Sequence, residues 1–233
     1  MKKNSKKIIC VIPARGGSKG LKNKNIKLLN GKPLIAWPII YAKKIKEISK
    51  IIVSTDDKKI AKIATKYGAE VPFLRPENIS GDYATTESVL KYSILKIEEI
   101  ENIKYDYCIF LTATDIFREK DWLLKCINTI LDNKNKNIES VFMGYKTHKN
   151  FWELDKNGNW KRIKPWMSKY SSRQIRRTII REDTGLSCIS KAELWRNGKR
   201  IGNKVKIIMH ENDLSFIDIH SEYDLKTANK LFK

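Results

Sequence analysis

The chain has 233 residues, enough to bury one core of its own and too few for two full α/β domains, so a single domain over residues 1–233 is expected. A formal net charge of +21 invites a nucleic-acid partner, because a clustered basic face supplies most non-specific affinity for phosphate backbones. Here the lysines recur along the whole chain, without an aromatic-interleaved basic stripe or zinc-ligand spacing, which argues for a solvated basic surface and against nucleic acid.

Short apolar runs alternate with longer periodic segments. KIICVIPA (7–14) reads as a buried strand, PLIAWPIIYAKKIK (33–46) as a helix opened by Pro33, KIIVSTDD (50–57) as a strand, and KKIAKIATKYG (58–68) as a helix closed by Gly68. AEVPFLRP (69–76) then reads as a short strand and TTESVLKYSILKIEEI (85–100) as an amphipathic helix. YDYCIFLTATD (105–115) is the expected central strand, followed by a helix over REKDWLLKCINTILDN (118–133) and a strand over IESVFMGYK (138–146). Strands without polar alternation, separated by helices, predict a mostly parallel sheet covered on both faces.

Regularity stops near Lys146. FWELDKNGNWKRI (151–163) predicts a hairpin turning at Asn157–Gly158, and residues 146–182 read as an insertion too small to stand alone. Its Phe151, Trp152, Trp160 and Trp166 predict a homodimer contact, the alternative being that they cap the protein's own sheet. GLSCIS (185–190), KVKIIMH (204–210) and LSFIDI (214–219) predict further strands, and EYDLKTANKLF (222–232) a last helix. Cys10, Cys108, Cys126 and Cys188 have neither metal nor redox spacing, and the apolar run after the basic N-terminus is too short for a signal peptide. No run is long enough to span a membrane, so a reduced, cytoplasmic protein without a membrane partner is expected.

The informative stretch is VIPARGGSKGLKNKNI (11–26), which leaves the first strand through glycines, Arg15 and Lys19, Lys22 and Lys24. In open parallel sheets, ligands lie outside the carboxyl ends of the strands. Glycines there let backbone N–H groups approach a polyanion while Arg and Lys supply charge. The loop is neither a Walker motif nor G-x-G-x-x-G, and a phosphate-bearing ligand fits it better than a merely flexible basic turn does.

IPARGGSKGLKNKNI with the following GKPLIAW closely resembles the opening of the CMP-sialic acid synthetases (acylneuraminate cytidylyltransferases). IIVSTDD, AEVPFLRPENISGDYATT and DIHSEYDL continue the resemblance in order along nearly the whole chain. It implies a Rossmann-like sheet of the nucleotide-diphospho-sugar transferase type. It also implies that CTP and a nonulosonic, sialic-like acid yield the CMP-sugar and pyrophosphate with Mg²⁺. Two other readings stay open: transfer to another sugar, Kdo-like or a sugar 1-phosphate, and a non-catalytic nucleotide- or RNA-binding protein on the same scaffold.

Residue by residue, the resemblance makes Arg15 and Lys24 phosphate contacts and Gly16, Gly17, Ser18, Lys19 and Gly20 the phosphate cradle, with Asn25 beside the cytidine. Arg75 matches an Arg near the nucleotide, the alternative being a pair with Asp82. Thr86 falls where a hydroxyl meets the base, the alternative being a helix start. SSRQIRR resembles the family's Arg-Gln segment, which makes Arg173, with Gln174, a candidate for the sugar carboxylate. Asp183, Thr184 and Gly185 are implied to line the sugar pocket and resemble the pseudaminate-activating members at this point.

Two departures follow. LTATDIFR (111–118) replaces the family's Leu-Gln-Pro-Thr-Ser-Pro-Leu-Arg, so Thr112 stands where a sugar-contacting glutamine is expected. The family's Asp-Ile-Asp metal pair becomes Asp218-Ile219-His220, and Mg²⁺ prefers oxygen donors to imidazole. Asp115 stands where this family usually has Ser, at the end of the central strand, near which related nucleotidyltransferases place a metal-binding Asp; the resemblance thus makes it a candidate second ligand beside Asp218, with His220 hydrogen-bonding behind them. The alternative is that Asp115 caps the helix beginning near Arg118.

Overall fold

The computed structural model describes residues 6–135, 137–169, 172, 175 and 177–232. β1 (Ile8–Pro13) shows why the sheet is covered twice. Ile8, Cys10 and Ile12 point into one apolar cluster with Ile35, Ile39, Ile60, Ala64 and Cys126, while Ile9 and Val11 point into another with Leu90, Ile94, Ile97 and Trp195. Successive strand residues face opposite sides, so an unbroken apolar run requires helices on both. Each fully buried aliphatic side chain contributes roughly 1.5–3 kcal/mol. The four cysteines are buried and free.

After β1 come a small pair, β2 (Leu28–Leu29) and β3 (Lys32–Pro33), then α1 (Ala36–Ala42), β4 (Lys50–Ser54) and α2 (Lys58–Tyr67). Pro33 pairs with Leu28 in this small sheet instead of opening the helix. The Leu34 and Ile35 N–H groups donate to Lys27 O and Asn25 O at 2.9 Å, tying this stretch to the glycine loop, so α1 begins later than expected. α2 is capped by Asp57, which accepts from Lys59 N and Ile60 N, and Gly68 at φ 95° ends it in the left-handed conformation. Residues 69–76 make only single bridges, Glu70 to Ile52 and Leu74 to Thr55.

α3 (Thr86–Glu101), β5 (Tyr107–Phe110), α4 (Trp122–Leu131) and β6 (Ser140–Thr147) complete the regular alternation. The cap of α3 is Thr85, whose hydroxyl accepts from Ser88 N. α4 begins at Trp122 rather than near Arg118, which leaves Asp115 ahead of any helix it might cap. The predicted hairpin forms from β7 (Trp152–Leu154) and β8 (Trp160–Arg162), with Gly158 at φ 81° and Asp155 Oδ1 accepting from Asn157 N and Asn159 N.

β9 (Ile179–Glu182) and β10 (Cys188–Lys191) both run antiparallel to β6, β9 beside its second half and β10 beside its first. Between them residues 183–187 bulge from the sheet around Met143, whose N–H donates to Ser187 O and whose O accepts from Asp183 N. α5 (Ala192–Arg196), β11 (Val205–His210) and α6 (Glu222–Leu231) follow. The sheet order is β11-β6-β10-β5-β1-β4, mainly parallel, with β10 reversed between β5 and β6. Residues 214–219 are not a strand: a 3-10 turn over Asp213–Phe216, closed by Asn212 onto Leu214 N, leads to one bridge between Asp218 and Asp115. A third apolar cluster, with Leu21, Leu29, Phe117, Ile219 and Leu225, packs α6 and this segment against the loop after β1.

Candidate active site

The loop after β1 is held from three sides. Ala14 N donates to Ser54 O and Gly16 N to Asp56 Oδ1, both at 3.0 Å, and Asn25 Nδ2 donates to Arg15 O at 2.9 Å. A Cβ on Gly16 would meet the Asp57 side chain at 2.8 Å, and one on Gly20 would meet the His220 carbonyl oxygen at 2.8 Å. Glycine at these positions therefore lets the loop lie directly on β4's exit and on the 218–220 segment. A Cβ on Gly17 would meet nothing within 4 Å.

A cavity of about 470 Å³ opens over this loop, lined among others by Arg15, Ser18, Lys19, Gly20, Lys24, Asn25, Arg75 and Thr86. Its cations are arranged differently. Arg15 Nη1 donates to Asp82 Oδ1 at 3.0 Å and to Gly81 O at 3.3 Å, and Lys19 meets the other Asp82 oxygen. Arg75, read at the sequence level as a possible mate for Asp82, instead lies buried, donating to Ser80 Oγ at 3.1 Å and Ser54 O at 3.3 Å with Asp56 at 3.6 Å. The Lys24 side chain is half-buried, and among the described residues its ammonium has no hydrogen-bond or ion-pair partner, although its backbone N–H donates to Leu21 O at 3.0 Å. Burial holds its ammonium below the ordinary lysine value; Asp218 oppositely raises it, Arg15 lowers it further, and Asp115 raises it.

A second cavity of about 450 Å³ shares Thr86, Phe110 and Thr112 with the first and adds Asp115, Asp183, Thr184, Gly185 and Asp218. The bulge at 183–187 carries Gly185 against the strand end, where Thr112 N donates to Gly185 O at 3.1 Å. Arg118 locks this junction, donating to Thr112 O, Gly185 O and Leu186 O at 2.6–2.7 Å. The Asp183 carboxylate is engaged on both oxygens, by Arg181 at 2.6 and 3.0 Å and by His210 Nε2 at 2.8 Å, while Thr184 Oγ1 lies 3.4 Å from Glu182. Arg173 and Gln174 lie outside the described residues. Arg181, Glu182 and Arg200 also line this cavity and were missed by the motif reading, because nothing in their local sequence spacing marks them.

Asp115 and Asp218 meet at the bridge between their backbones. Burial and then the Asp218 charge push the Asp115 carboxyl above the ordinary aspartate value, against Arg118 and the Thr112 hydrogen bond. His220 Nε2 stands 2.7 Å from Asp218 Oδ2, while Asp218 Oδ1 is buried without a hydrogen-bond partner. Among the described residues no cluster of three or more His, Cys, Asp or Glu side chains is arranged to hold a metal. Two crowded carboxylates with an unsatisfied oxygen nevertheless suit a hard cation that completes its shell with water and phosphate oxygens.

The sequence profile described as cytidylyltransferase matches residues 9–216. The chain belongs to that family. Within this cytidylyltransferase family, the chain is 31% identical over 226 residues to a post-translational flagellin modification protein B of Campylobacter coli, covering 97% of this chain and 95% of the relative. It is 39% identical over 130 residues, 56% of each chain, to a pseudaminic acid cytidylyltransferase of Campylobacter jejuni subsp. jejuni. A CMP:2-keto-3-deoxy-manno-octonic acid synthetase solved with CTP superposes with a TM-score of 0.68 at 12% identity, covering 97% of this chain and 98% of that one. At that identity the superposition speaks for the fold. The Rossmann-like sheet expected of a cytidylyltransferase is the one observed. No helix among the described residues is long and apolar enough to cross a membrane.

Proposed function

We propose that this chain transfers CMP from CTP to a nonulosonic acid. The anomeric hydroxyl oxygen attacks the α-phosphorus, the bond from that phosphorus to the bridging oxygen breaks, pyrophosphate leaves with the electron pair, and the hydroxyl proton is released. The observation that carries this reading is the pair of joined cavities. One presents Arg15, Lys19, Lys24 and Arg75, the other Asp115 and Asp218 among its carboxylates, and they meet at Thr86, Phe110 and Thr112.

In this reading the triphosphate lies on the Gly16–Gly20 cradle, with Arg15 and Lys24 neutralising the charge that shifts onto the leaving pyrophosphate. A half-buried Lys24 suits that role, because a partly desolvated ammonium interacts more strongly with phosphate than an exposed one. Asn25 holds the loop through Arg15 O and borders the nucleotide cavity, and Thr86 faces the base. Asp183, Thr184 and Gly185 wall the sugar cavity and Thr112 stands where the two cavities meet, with Arg173 and Gln174 assigned to the sugar carboxylate on motif alone. Asp115 and Asp218 would hold Mg²⁺, which supplies neutralisation of phosphate charge when bound, and His220 would orient Asp218. The 39% identical pseudaminic acid cytidylyltransferase makes a pseudaminic-type acid the first substrate to test. The insertion at 146–182 is proposed to join two copies, and a cytoplasmic site accords with the substrates.

The deciding experiment incubates the protein with CTP, Mg²⁺ and a panel of nonulosonic acids and measures pyrophosphate. Release with at least one acid is expected; release with none, including Kdo-like sugars and sugar 1-phosphates, returns the scaffold to a binding role.

A further inference from the structure

Thr112 occupies the position where the family's glutamine is expected to touch the sugar, yet its hydroxyl is turned to a different task. Thr112 Oγ1 lies 2.6 Å from Asp115 Oδ2, to which it donates, and accepts from the Asp115 backbone N–H at 3.2 Å. A hydroxyl has one proton to give, and the Gly185 carbonyl at 3.4 Å is the poorer acceptor, so the proton belongs to the carboxylate. Gly185 closes the seat from the other side: a Cβ there would stand 1.9 Å from Asp115 Oδ2 and 3.0 Å from Thr112 Cγ2. No hydrogen bond to Asp115 Oδ1 occurs among the described residues.

The same pattern repeats across the bridge. Asp218 Oδ2 is taken by His220 Nε2 at 2.7 Å, and Asp218 Oδ1 is buried and unpartnered. Each carboxylate thus has one oxygen fixed by a neighbour and one left uncommitted. Two carboxylates facing each other repel, and an aspartate free to rotate would turn its charge away. A short hydrogen bond from a hydroxyl to a carboxylate is among the stronger ones in proteins and holds one rotamer against that tendency.

We infer that Thr112 is a positioning residue, whose hydroxyl fixes the Asp115 carboxylate so that one oxygen stays available to a divalent cation shared with Asp218. Gly185 is glycine because the seat leaves no room for a side chain. This rests on the reading that Asp115 and Asp218 hold the cation, and it gives the threonine a task other than reading the sugar.

The test titrates the full-length protein with Mn²⁺ alone and follows free Mn²⁺ by electron paramagnetic resonance, with thermal melts checking that each variant is folded. Thr112→Val is expected to weaken Mn²⁺ binding about 10-fold or more, and Thr112→Ser, which keeps the hydroxyl, to stay within about twofold of the parent. Gly185→Ala should weaken it as Thr112→Val does. With CTP and an accepted sugar, Thr112→Val should lower kcat while leaving the sugar KM nearly unchanged. Parent-like Mn²⁺ affinity in Thr112→Val with a raised sugar KM overturns the inference, as does a parent protein that binds no Mn²⁺. Pyrophosphate release by the parent judges the proposed reaction separately, because the Mn²⁺ titration needs neither CTP nor sugar.

Discussion

Arg15 at the end of β1 is paired with Asp82 from the segment ahead of α3, Nη1 to Oδ1 at 3.0 Å. Lys19 takes the other oxygen of the same carboxylate, and its hydrogen bond is the chief reason the Asp82 carboxyl lies below the ordinary aspartate value. A phosphate bound on the proposed cradle would have to take these two cations away from Asp82. Asp82→Ala is expected to tighten CTP binding about threefold to tenfold in low-salt calorimetry, on the scale of two exposed ion pairs. Unchanged or weaker affinity would show that Asp82 orders the loop more than it competes.

Arg15→Ala and Lys24→Ala should each lower kcat/KM by about 100-fold or more, since groups that neutralise a leaving phosphate act chiefly in the transition state. Steady-state pyrophosphate release measures this. Near-parent activity in both variants removes the loop from the chemistry.

Asp115→Asn should lower kcat/KM by about 100-fold or more while leaving the melting temperature equal or higher, because it removes a buried charge that faces Asp218. A loss of stability with retained activity would contradict the assignment. His220→Asp, which restores the family's carboxylate pair, should tighten Mg²⁺ binding. If activity collapses instead, the imidazole has a task of its own.

Glu98 gives a stability prediction away from the site. It is nearly buried and accepts from Arg196 at 2.6 and 3.0 Å, from Lys104 at 2.8 Å and from Tyr105 N at 3.0 Å. Burial pushes its carboxyl upward, but the hydrogen bonds from Arg196, Lys104 and the Tyr105 N–H together hold it below the ordinary glutamate value. The folded value being depressed, the contribution is complete above the unfolded value of about 4.3 and is lost as pH falls through the lower folded value. Glu98→Gln should cost about 2 kcal/mol in urea unfolding at neutral pH, a gap that narrows below about pH 4. A gap independent of pH would contradict it.

The hairpin exposes 48% of Trp152, 56% of Leu154 and 68% of Trp160, a patch large for so short an element. Light scattering at micromolar concentration should give the mass of a dimer for the parent and of a monomer for a Leu154→Glu/Trp160→Glu variant. A monomeric parent sinks the proposed contact.

Much of this arrangement was legible in the chain because its physics is local. The unalternating strands announced a sheet covered on both faces, and Asn157–Gly158 announced its hairpin. Of the loop after β1, Arg15, Ser18, Lys19, Gly20, Lys24 and Asn25 line one cavity, while Gly16 and Gly17 are not among its lining residues. What was not legible depends on distant chain segments. Pro33 reads as a helix start until Asn25 and Lys27 claim the next two N–H groups, and 214–219 reads as a strand although its pairing among the described residues is the single bridge from Asp218 to Asp115. Arg181 enters the second cavity from β9 and Arg200 from the connection between α5 and β11, two distant segments that no spacing rule brings together.

That reversed strand has a consequence for how such an enzyme can diversify. The chain leaves the sheet after β6 and re-enters through β9 and β10 alongside β6 itself, so exit and return lie at the ligand end. The chain between β6 and β9 can be lengthened, shortened or exchanged without shifting β1, β4 or β5, whose pairing does not involve it. Selection can therefore rework that excursion as a replaceable cassette beside the second cavity while the loop after β1 keeps its place.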